Sequence, residues 1–486
     1  MSASMKNSIG YIGVDFLNNA TICNEALGLL DAGVPLEPAS VYSFEKATFY
    51  RNKNLERITS NLHSLYPLKA GSVLWALLAG PFVFGWRFWK ALGKACTCEV
   101  EGWSQRLRVV WGFLPALCLA MHWRTRNVGH IHAHWAHTAT TMAMHAAELL
   151  DISFSFTGHA NDLFVHTVGL PAKIRRARFI VCISEFHRRW YLERGADAER
   201  LHVVYCGIDP QRFSEAGTQE INNPMEGFAV PPAGENSRFS SGALPVESPT
   251  RKNDTPVILG VGRLVEKKGF HHLVAACAKL KDRGVNFQCI IAGKGDEESR
   301  LQELGEALGV TDMVTIPGTN VLQEDLPGLM RQARIIALPC VRDRNGDMDG
   351  LPQVLIEAML CGVPVVSTRL VGIPDLIRDG ENGYLVRPED VDQLTAALEK
   401  AIGDPETTHQ MGLLGKEWAQ SHFGREKTVE RLQQLFEWAT SHSDQKSPGW
   451  QHPPAPGATD AYADPERDKE NETKAKHHSA DLITAS

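Results

Sequence analysis

The stretch Val257-Ile-Leu-Gly-Val-Gly-Arg-Leu-Val-Glu-Lys-Lys-Gly-Phe270 decides how this chain folds. Its first part, Val257–Val261, is a short apolar run rich in β-branched residues and reads as a buried strand. Gly262 permits a tight turn, and a helix is expected over 270–283. Strand, glycine turn and helix in that order open a crossover unit of a parallel sheet. The turn carries Arg263 and Lys268, two cations beside a strand-to-helix junction. Charge-assisted bonds from such cations to a diphosphate contribute roughly 1.5–3 kcal/mol each. Alone, the segment reads equally well as a solvated basic loop. Its place after the first strand of an alternating series favours anion binding.

Towards the C-terminus the alternation continues. Strands are expected at 288–292, 313–316, 335–338 and 363–367, and helices at 298–308, 352–359 and 391–402. That is a complete doubly wound domain. Towards the N-terminus, residues 214–255 are rich in Gly, Pro, Ser, Asn and Glu without periodicity and read as a linker or surface insertion. Before it stands a second alternating series. A strand-like run at 9–16 is followed by a helix over 21–30 with Gly33 as its C-cap. Strands are expected at 131–133, 153–157, 179–183 and 202–204, with a helix over 138–150. The fold class is therefore α/β, with two doubly wound Rossmann-like domains. The expected partition is an N-terminal domain over 1–213, the linker 214–255 and a C-terminal domain over 256–425. A helix at 426–440 is expected to fold back on the first domain, followed by a disordered tail, 441–486. Open parallel sheets bind ligands outside the carboxyl ends of their strands, which places the site in the cleft between the two sheets.

Composition narrows the class. At 486 residues the chain exceeds one ordinary core. A formal charge of −7 supplies no net basic field, so a general nucleic-acid binder is excluded. The ten cysteines include no Cys-x-x-Cys pair, which points to reduced thiols in a cytoplasmic protein. Met1–Gly10 lacks a basic segment followed by a long apolar run, so no secretory signal is expected. The longest apolar stretch, 73–89, is interrupted by Gly80, Pro81, Gly85 and Arg87 and falls short of the roughly 20 residues of a spanning helix. Residues 72–103 hold Trp75, Trp86, Phe88, Trp89 and Trp103 near Lys69, Arg87, Lys90 and Lys94. They read either as a patch that enters a membrane surface or as a buried helix pair.

The segment Asp349-Gly350-Leu351-Pro352-Gln-Val-Leu-Ile-Glu357 sets two carboxylates eight residues apart around a helix start. Pro352 suits the first helical position, and free N–H groups there form an anion site. One acid can address a sugar hydroxyl and the other a ribose. The alternatives are an N-cap for Asp349 and a solvated helix face for Glu357, although Val354, Leu355 and Ile356 make the helix apolar around its acid.

With Ile291-Ala-Gly-Lys-Gly295, Gly372-Ile-Pro-Asp375 and Asp379-Gly-Glu-Asn-Gly383, these pieces resemble the retaining GT-B glycosyltransferases of family 4. That family includes bacterial polysaccharide and colanic-acid-type sugar transferases, and the resemblance spans nearly all of 255–425. It implies that Arg263 and Lys268 hold a donor diphosphate, that Glu357 holds the ribose, and that Gly350, Leu351 and Pro352 contact the transferred sugar and phosphate. The family usually has Glu where this chain has Asp349, so the acid here has a shorter reach. Thr157-Gly-His159-Ala-Asn-Asp162 looks like the segment bearing the family's active-site histidine. His159 is expected to donate to the sugar or the departing phosphate, with Asp162 orienting it; the alternative is a loop histidine satisfied by a carbonyl. Cys206–Phe213 is similar to the motif that closes the family's first domain. Asn18 and Asn19 stand where related enzymes show Ser-Glu, on the acceptor side.

The activity so implied is retaining transfer from a nucleotide-sugar, UDP- or GDP-linked, to a glycan or lipid-linked acceptor in exopolysaccharide, lipopolysaccharide or glycolipid synthesis. It is expected at the inner face of the cell membrane, without cofactor or metal. A sugar-nucleotide epimerase or hydrolase and a non-catalytic nucleotide-binding scaffold are the alternatives. His130, His132, His134 and His137 suggest a metal site, but no carboxylate or cysteine is spaced nearby to complete one. Asp343–Gly350 has the look of a calcium loop, yet Ile356 falls where the bidentate Glu belongs.

Overall fold

The computed structural model describes residues 5, 7–17, 19–42, 55–100, 102–213, 255–323, 325–441 and 448. Asn18, the linker apart from Thr255, and the tail apart from Ser441 and Pro448 lie outside them. Two parallel sheets organise the chain. The first contains β1 (Ser8–Gly13), β2 (Leu36–Tyr42), β3 (His63–Tyr66), β4 (Val128–His134), β5 (Ser153–Gly158), β6 (Phe179–Cys182) and β7 (Leu201–Val203), in the order β3-β2-β1-β4-β5-β6-β7. The second contains β8 (Val257–Val261), β9 (Gln288–Ala292), β10 (Val314–Thr315), β11 (Ile335–Leu338), β12 (Val365–Thr368) and β13 (Gly383–Val386), in the order β10-β9-β8-β11-β12-β13. β6, β11, β12 and β13 are buried at every residue, as strands covered by helices on both faces must be. Strand order reverses between β1 and β4 and between β8 and β11. These two switch points leave crevices at the carboxyl ends of the strands.

The Thr138–Leu150 helix and the strands β8, β9 and β11 have the bounds read from the sequence. β2, β3 and β13 had no counterpart in that reading. Pro38 argues against a strand inside a sheet, yet β2 lies between β1 and β3, where the missing N–H removes a single ladder bond. Two helices follow Val391–Gly403. They are Pro405–His422, whose N-cap Asp404 accepts from the Thr407 N–H at 3.1 Å, and Arg425–Thr440.

The Arg425–Thr440 helix buries Leu432, Leu435 and Phe436 against Ile22, Ala26 and Phe179 of the first domain. Ile208 bridges to Gly424, and the Thr428 hydroxyl donates to the Tyr205 carbonyl at 2.9 Å. The helices Ala70–Phe84 and Trp86–Cys96 meet at a 116° bend at Gly85. Among the described residues no single helix is long and apolar enough to cross a membrane.

Candidate active site

At the β8/β11 switch point, the turn after β8 runs into a short 3-10 segment, Glu266–Lys268, and closes on the end of β11. Gly269 makes this approach possible. Its φ is +68°, and a Cβ there would lie 1.9 Å from the Pro339 carbonyl oxygen, so only glycine fits. The Val341 N–H donates to the Lys267 carbonyl at 2.9 Å and locks the two loops together. Both lysines then point at the loop before the Gln353–Leu360 helix. Lys268 Nζ lies 2.6 Å from Asp349 Oδ2, and Lys267 Nζ lies 3.4 Å from Asp349 Oδ1 and 2.9 Å from Asp347. Burial pulls the Lys268 ammonium down, but Asp349 outweighs it, and the net shift is upward. Burial likewise raises Asp349, and the two lysines outweigh it and hold the carboxyl below its ordinary range.

The two cations read from the sequence, Arg263 and Lys268, therefore differ in their surroundings. A nearly buried ammonium needs a counter-charge, and Lys268 has one in Asp349. Lys267 and Lys268 are paired with Asp347 and Asp349, whereas Arg263 is exposed and has no ion-pair partner among the described residues. Asp349 is not an N-cap either, since Pro352 occupies that position. Of the acids in the calcium-like loop, Asp347 and Asp349 serve as counter-ions to Lys267 and Lys268, and Asp343 accepts the backbone N–H groups of Asn345 and Asp347.

Glu357 sits 6% exposed in the Gln353–Leu360 helix. Burial pushes its pKa up to about 7, opposed by the positive charges of Arg212 and Lys268. A solvated helix face is therefore excluded. Arg212 belongs to the motif that closes the first domain, so the sequence reading missed its reach into this site. Gly350, Leu351 and Pro352 are all buried. A Cβ on Gly350 would lie 2.9 Å from Ile183 and 3.1 Å from the His187 ring, so here the second domain touches the first.

His187 connects this loop to His159. Its Nε2 donates to the His159 carbonyl at 2.8 Å, and its Nδ1 pairs with the Ser184 hydroxyl at 2.6 Å. Asp162 is fully buried and accepts the backbone N–H groups of His159 (3.0 Å) and Ala136. It therefore fixes the backbone of the His159 loop and orients the histidine through its main chain. The ring is held by a buried chain of groups. Tyr11, kept protonated by burial and by Glu25, donates its hydroxyl proton to Glu25. The Tyr11 oxygen lies 2.6 Å from His134 Nε2, and His134 Nδ1 in turn lies 3.4 Å from His159 Nε2. Burial first, and then repulsion from the neighbouring imidazoles His134 and His187, hold His159 well below its usual range, so it is neutral. A neutral imidazole carries one N–H and one lone pair, so the ring can donate to a sugar hydroxyl or accept from one.

Asn19 caps the Ala20–Asp31 helix by accepting from the Ile22 N–H at 3.2 Å, a structural use of its side chain. The sequence reading found no carboxylate to join the histidines, but Glu25 supplies one from across the sheet. Donor atoms of Glu25, His132 and His134 lie within 4.8 Å of one another. Both His132 nitrogens are already bonded, to Ser155 at 2.8 Å and Thr157 at 3.0 Å. A lone acid in the apolar run Ala20–Leu30 was the available signal for Glu25.

Two family models match the chain. One described as "Glycosyl transferases group 1" covers residues 246–418, and one described as "Glycosyltransferase Family 4" covers residues 96–212. WcaL, a putative colanic acid biosynthesis glycosyltransferase of Salmonella typhimurium, is 29% identical over 264 residues, 54% of this chain and 57% of that protein. The GDP-mannose-dependent alpha-(1-6)-phosphatidylinositol monomannoside mannosyltransferase of Mycolicibacterium smegmatis is 34% identical over 184 residues, 38% of this chain and 48% of that one. The chain thus spans about half the length of these curated relatives. HepE of Anabaena, solved in complex with UDP, superposes with a TM-score of 0.61 over 89% of this chain and 100% of that one, at 15% identity, which is a likeness of fold. One matched segment lies in each sheet domain: residues 246–418 match the group 1 glycosyltransferases and residues 96–212 match glycosyltransferase family 4, on two Rossmann-like domains of the GT-B fold.

Proposed function

We propose that this chain transfers a sugar from a UDP- or GDP-sugar to a glycan or lipid-linked acceptor with retention of anomeric configuration. The work belongs to exopolysaccharide, lipopolysaccharide or glycolipid synthesis at the inner face of the cell membrane. The reading rests on one observation: Arg263, Lys268, Asp349 and Glu357 meet at the switch point of the second sheet, and Gly350 touches the His187 that holds the His159 loop. Glu357 accepts from the donor ribose. Arg263 meets the diphosphate with its uncompensated charge, and Lys268 adds a second cation whose counter-ion is already in place. Together they stabilise the charge that grows on the leaving nucleotide as the glycosidic bond breaks. These side chains supply the positive charge a divalent ion supplies elsewhere, and we propose that no metal or cofactor is needed. His159 Nδ1 accepts from a sugar hydroxyl and positions the ring. Asp349, locked between two lysines, orients the sugar and does not act as a nucleophile.

The relatives' names agree with this class: one is a putative colanic acid transferase, the other a GDP-mannose-dependent mannosyltransferase. The test is a panel of UDP-, GDP- and ADP-sugars scored by thermal shift, followed by turnover with membrane lipid extracts and NMR of the product anomer. A new glycoside with the donor's configuration is expected. Free sugar with no glycoside from any acceptor would replace transfer by hydrolysis or epimerisation.

A further inference from the structure

We propose that Glu25 is a positioning residue of the transfer site: acting through His134, it holds the ring proton of His159 on Nε2 and so leaves Nδ1 as a bare acceptor for a sugar hydroxyl. This deepens the transferase reading above, on which it rests, by adding a residue that touches no substrate.

Four elements bring the groups together. Tyr11 stands on β1, Glu25 on the Ala20–Asp31 helix, His134 at the end of β4 and His159 in the loop that follows β5. The parallel pairing of β1 with β4 sets Tyr11 opposite His132 and brings its ring within 5.2 Å of the His134 ring. Ile22 and Ala26, on the same helix as Glu25, pack in one apolar cluster with Tyr11, which carries the acid into the interior. Tyr11 and His134 are fully buried, and Glu25 is 7% exposed.

A carboxylate has lone pairs and no proton, so each of its partners must bring one. Glu25 Oε1 faces two, the Tyr11 hydroxyl and, at 3.2 Å, His134 Nε2. Among the described residues no lysine or arginine pairs with Glu25, so these two donors are what compensates its buried charge. The His134 N–H is shared with the Tyr11 oxygen, 2.6 Å from the same Nε2. With its one proton on Nε2, His134 turns a lone pair towards His159 Nε2, 3.4 Å from its Nδ1. The neutral His159 ring fills that contact only with a proton on Nε2. Its Nδ1 has no partner among the described residues and is the atom left to the substrate.

Other contacts hold the ring, so that the tautomer is its remaining freedom. The Trp135 ring lies 5.1 Å from it and the His134 ring, stacked at 28°, lies 5.6 Å from it. Asp162 accepts the His159 N–H, and His187 Nε2 bonds its carbonyl at 2.8 Å. His132 does not compete for the acid, because Ser155 and Thr157 occupy its two nitrogens at 2.8 and 3.0 Å.

The test is NMR of the histidine ring nitrogens in the isotope-labelled full chain without donor, with His159 assigned by the signal lost in His159→Gln. The unmodified protein should show the His159 proton on Nε2. Glu25→Gln keeps the volume but brings an amide that donates, so the His134 proton moves to Nδ1 and the His159 proton should follow to Nδ1. Turnover at saturating donor should then fall about ten- to a hundredfold, with UDP and GDP affinity unchanged. Tyr11→Phe leaves the contact between Glu25 and His134 in place and should keep the tautomer. A proton on His159 Nδ1 in the unmodified protein overturns the proposal, whatever the variants do. So does an unchanged His159 signal in Glu25→Gln, or a moved proton with undiminished turnover. If the unmodified chain binds neither UDP nor GDP, it is the donor reading that falls, and the tautomer still decides whether Glu25 acts on His159.

Discussion

The Glu357 carboxyl is enclosed by apolar helix, and its pKa stands near 7 against an ordinary 4.5. A group raised on folding contributes full stability below its unfolded value and loses it as pH climbs through the folded one. The loss is of order 3 kcal/mol once ionisation is complete. Glu357→Gln removes the penalty, so its Tm advantage over the unmodified protein should widen between about pH 5 and pH 8. A pH-independent difference would show that the carboxyl is solvated. Lys268→Ala should weaken donor binding by at least about tenfold, because it removes a cation and leaves Asp349 to repel the diphosphate. Arg263→Ala should do the same without destabilising the fold, because its side chain is exposed and unpartnered. Equal thermal stability with reduced donor affinity, read by calorimetry, is the expected pairing for Arg263→Ala. The identity of these residues could be read from the sequence, but their charge state could not. Nothing in the spacing of Lys268 and Asp349 announces an ion pair at 2.6 Å, because the two loops meet only through Gly269.

Between elements, Asp375 ties the two domains together. Its carboxylate accepts from the Glu185 N–H at 2.7 Å, at the head of a first-domain helix, and from the Tyr205 hydroxyl at 3.2 Å. Asp375→Ala leaves a helix N–H and a buried hydroxyl unsatisfied, and should cost roughly 1–3 kcal/mol by denaturant unfolding. No change in midpoint would mean that water replaces the carboxylate. Gly372, three residues earlier, has no room for a Cβ, which would lie 2.6 Å from both the Gly350 carbonyl oxygen and Ser184. The Gly372-Ile-Pro-Asp375 motif was legible in the sequence and its task was not, since its partners lie 190 and 170 residues away. Strand β13 escaped notice for a simpler reason: four residues between a turn and a loop carry too little periodicity to register.

For the molecule as a whole, the Arg425–Thr440 helix closes the first domain from the far end of the chain. Phe436 is fully buried among first-domain rings, 6.2 Å from Phe179 and 5.3 Å from His132. Phe436→Ala should destabilise the protein by roughly 3–5 kcal/mol, measured by urea unfolding, although it lies in neither sheet. The doubly wound architecture was readable because strands and helices alternate with strong period. The assembly of the His159 site was not, because Tyr11, Glu25 and His134 come from three elements that only the folded sheet brings together. The central claim is that the second domain binds a nucleotide-sugar through Arg263 and Lys268. Its most direct test is calorimetric titration of UDP- and GDP-sugars into the unmodified chain and the Arg263→Ala/Lys268→Ala double variant. At least one donor should bind the first, and none should bind the second measurably. A donor that binds both with the same affinity would contradict the account.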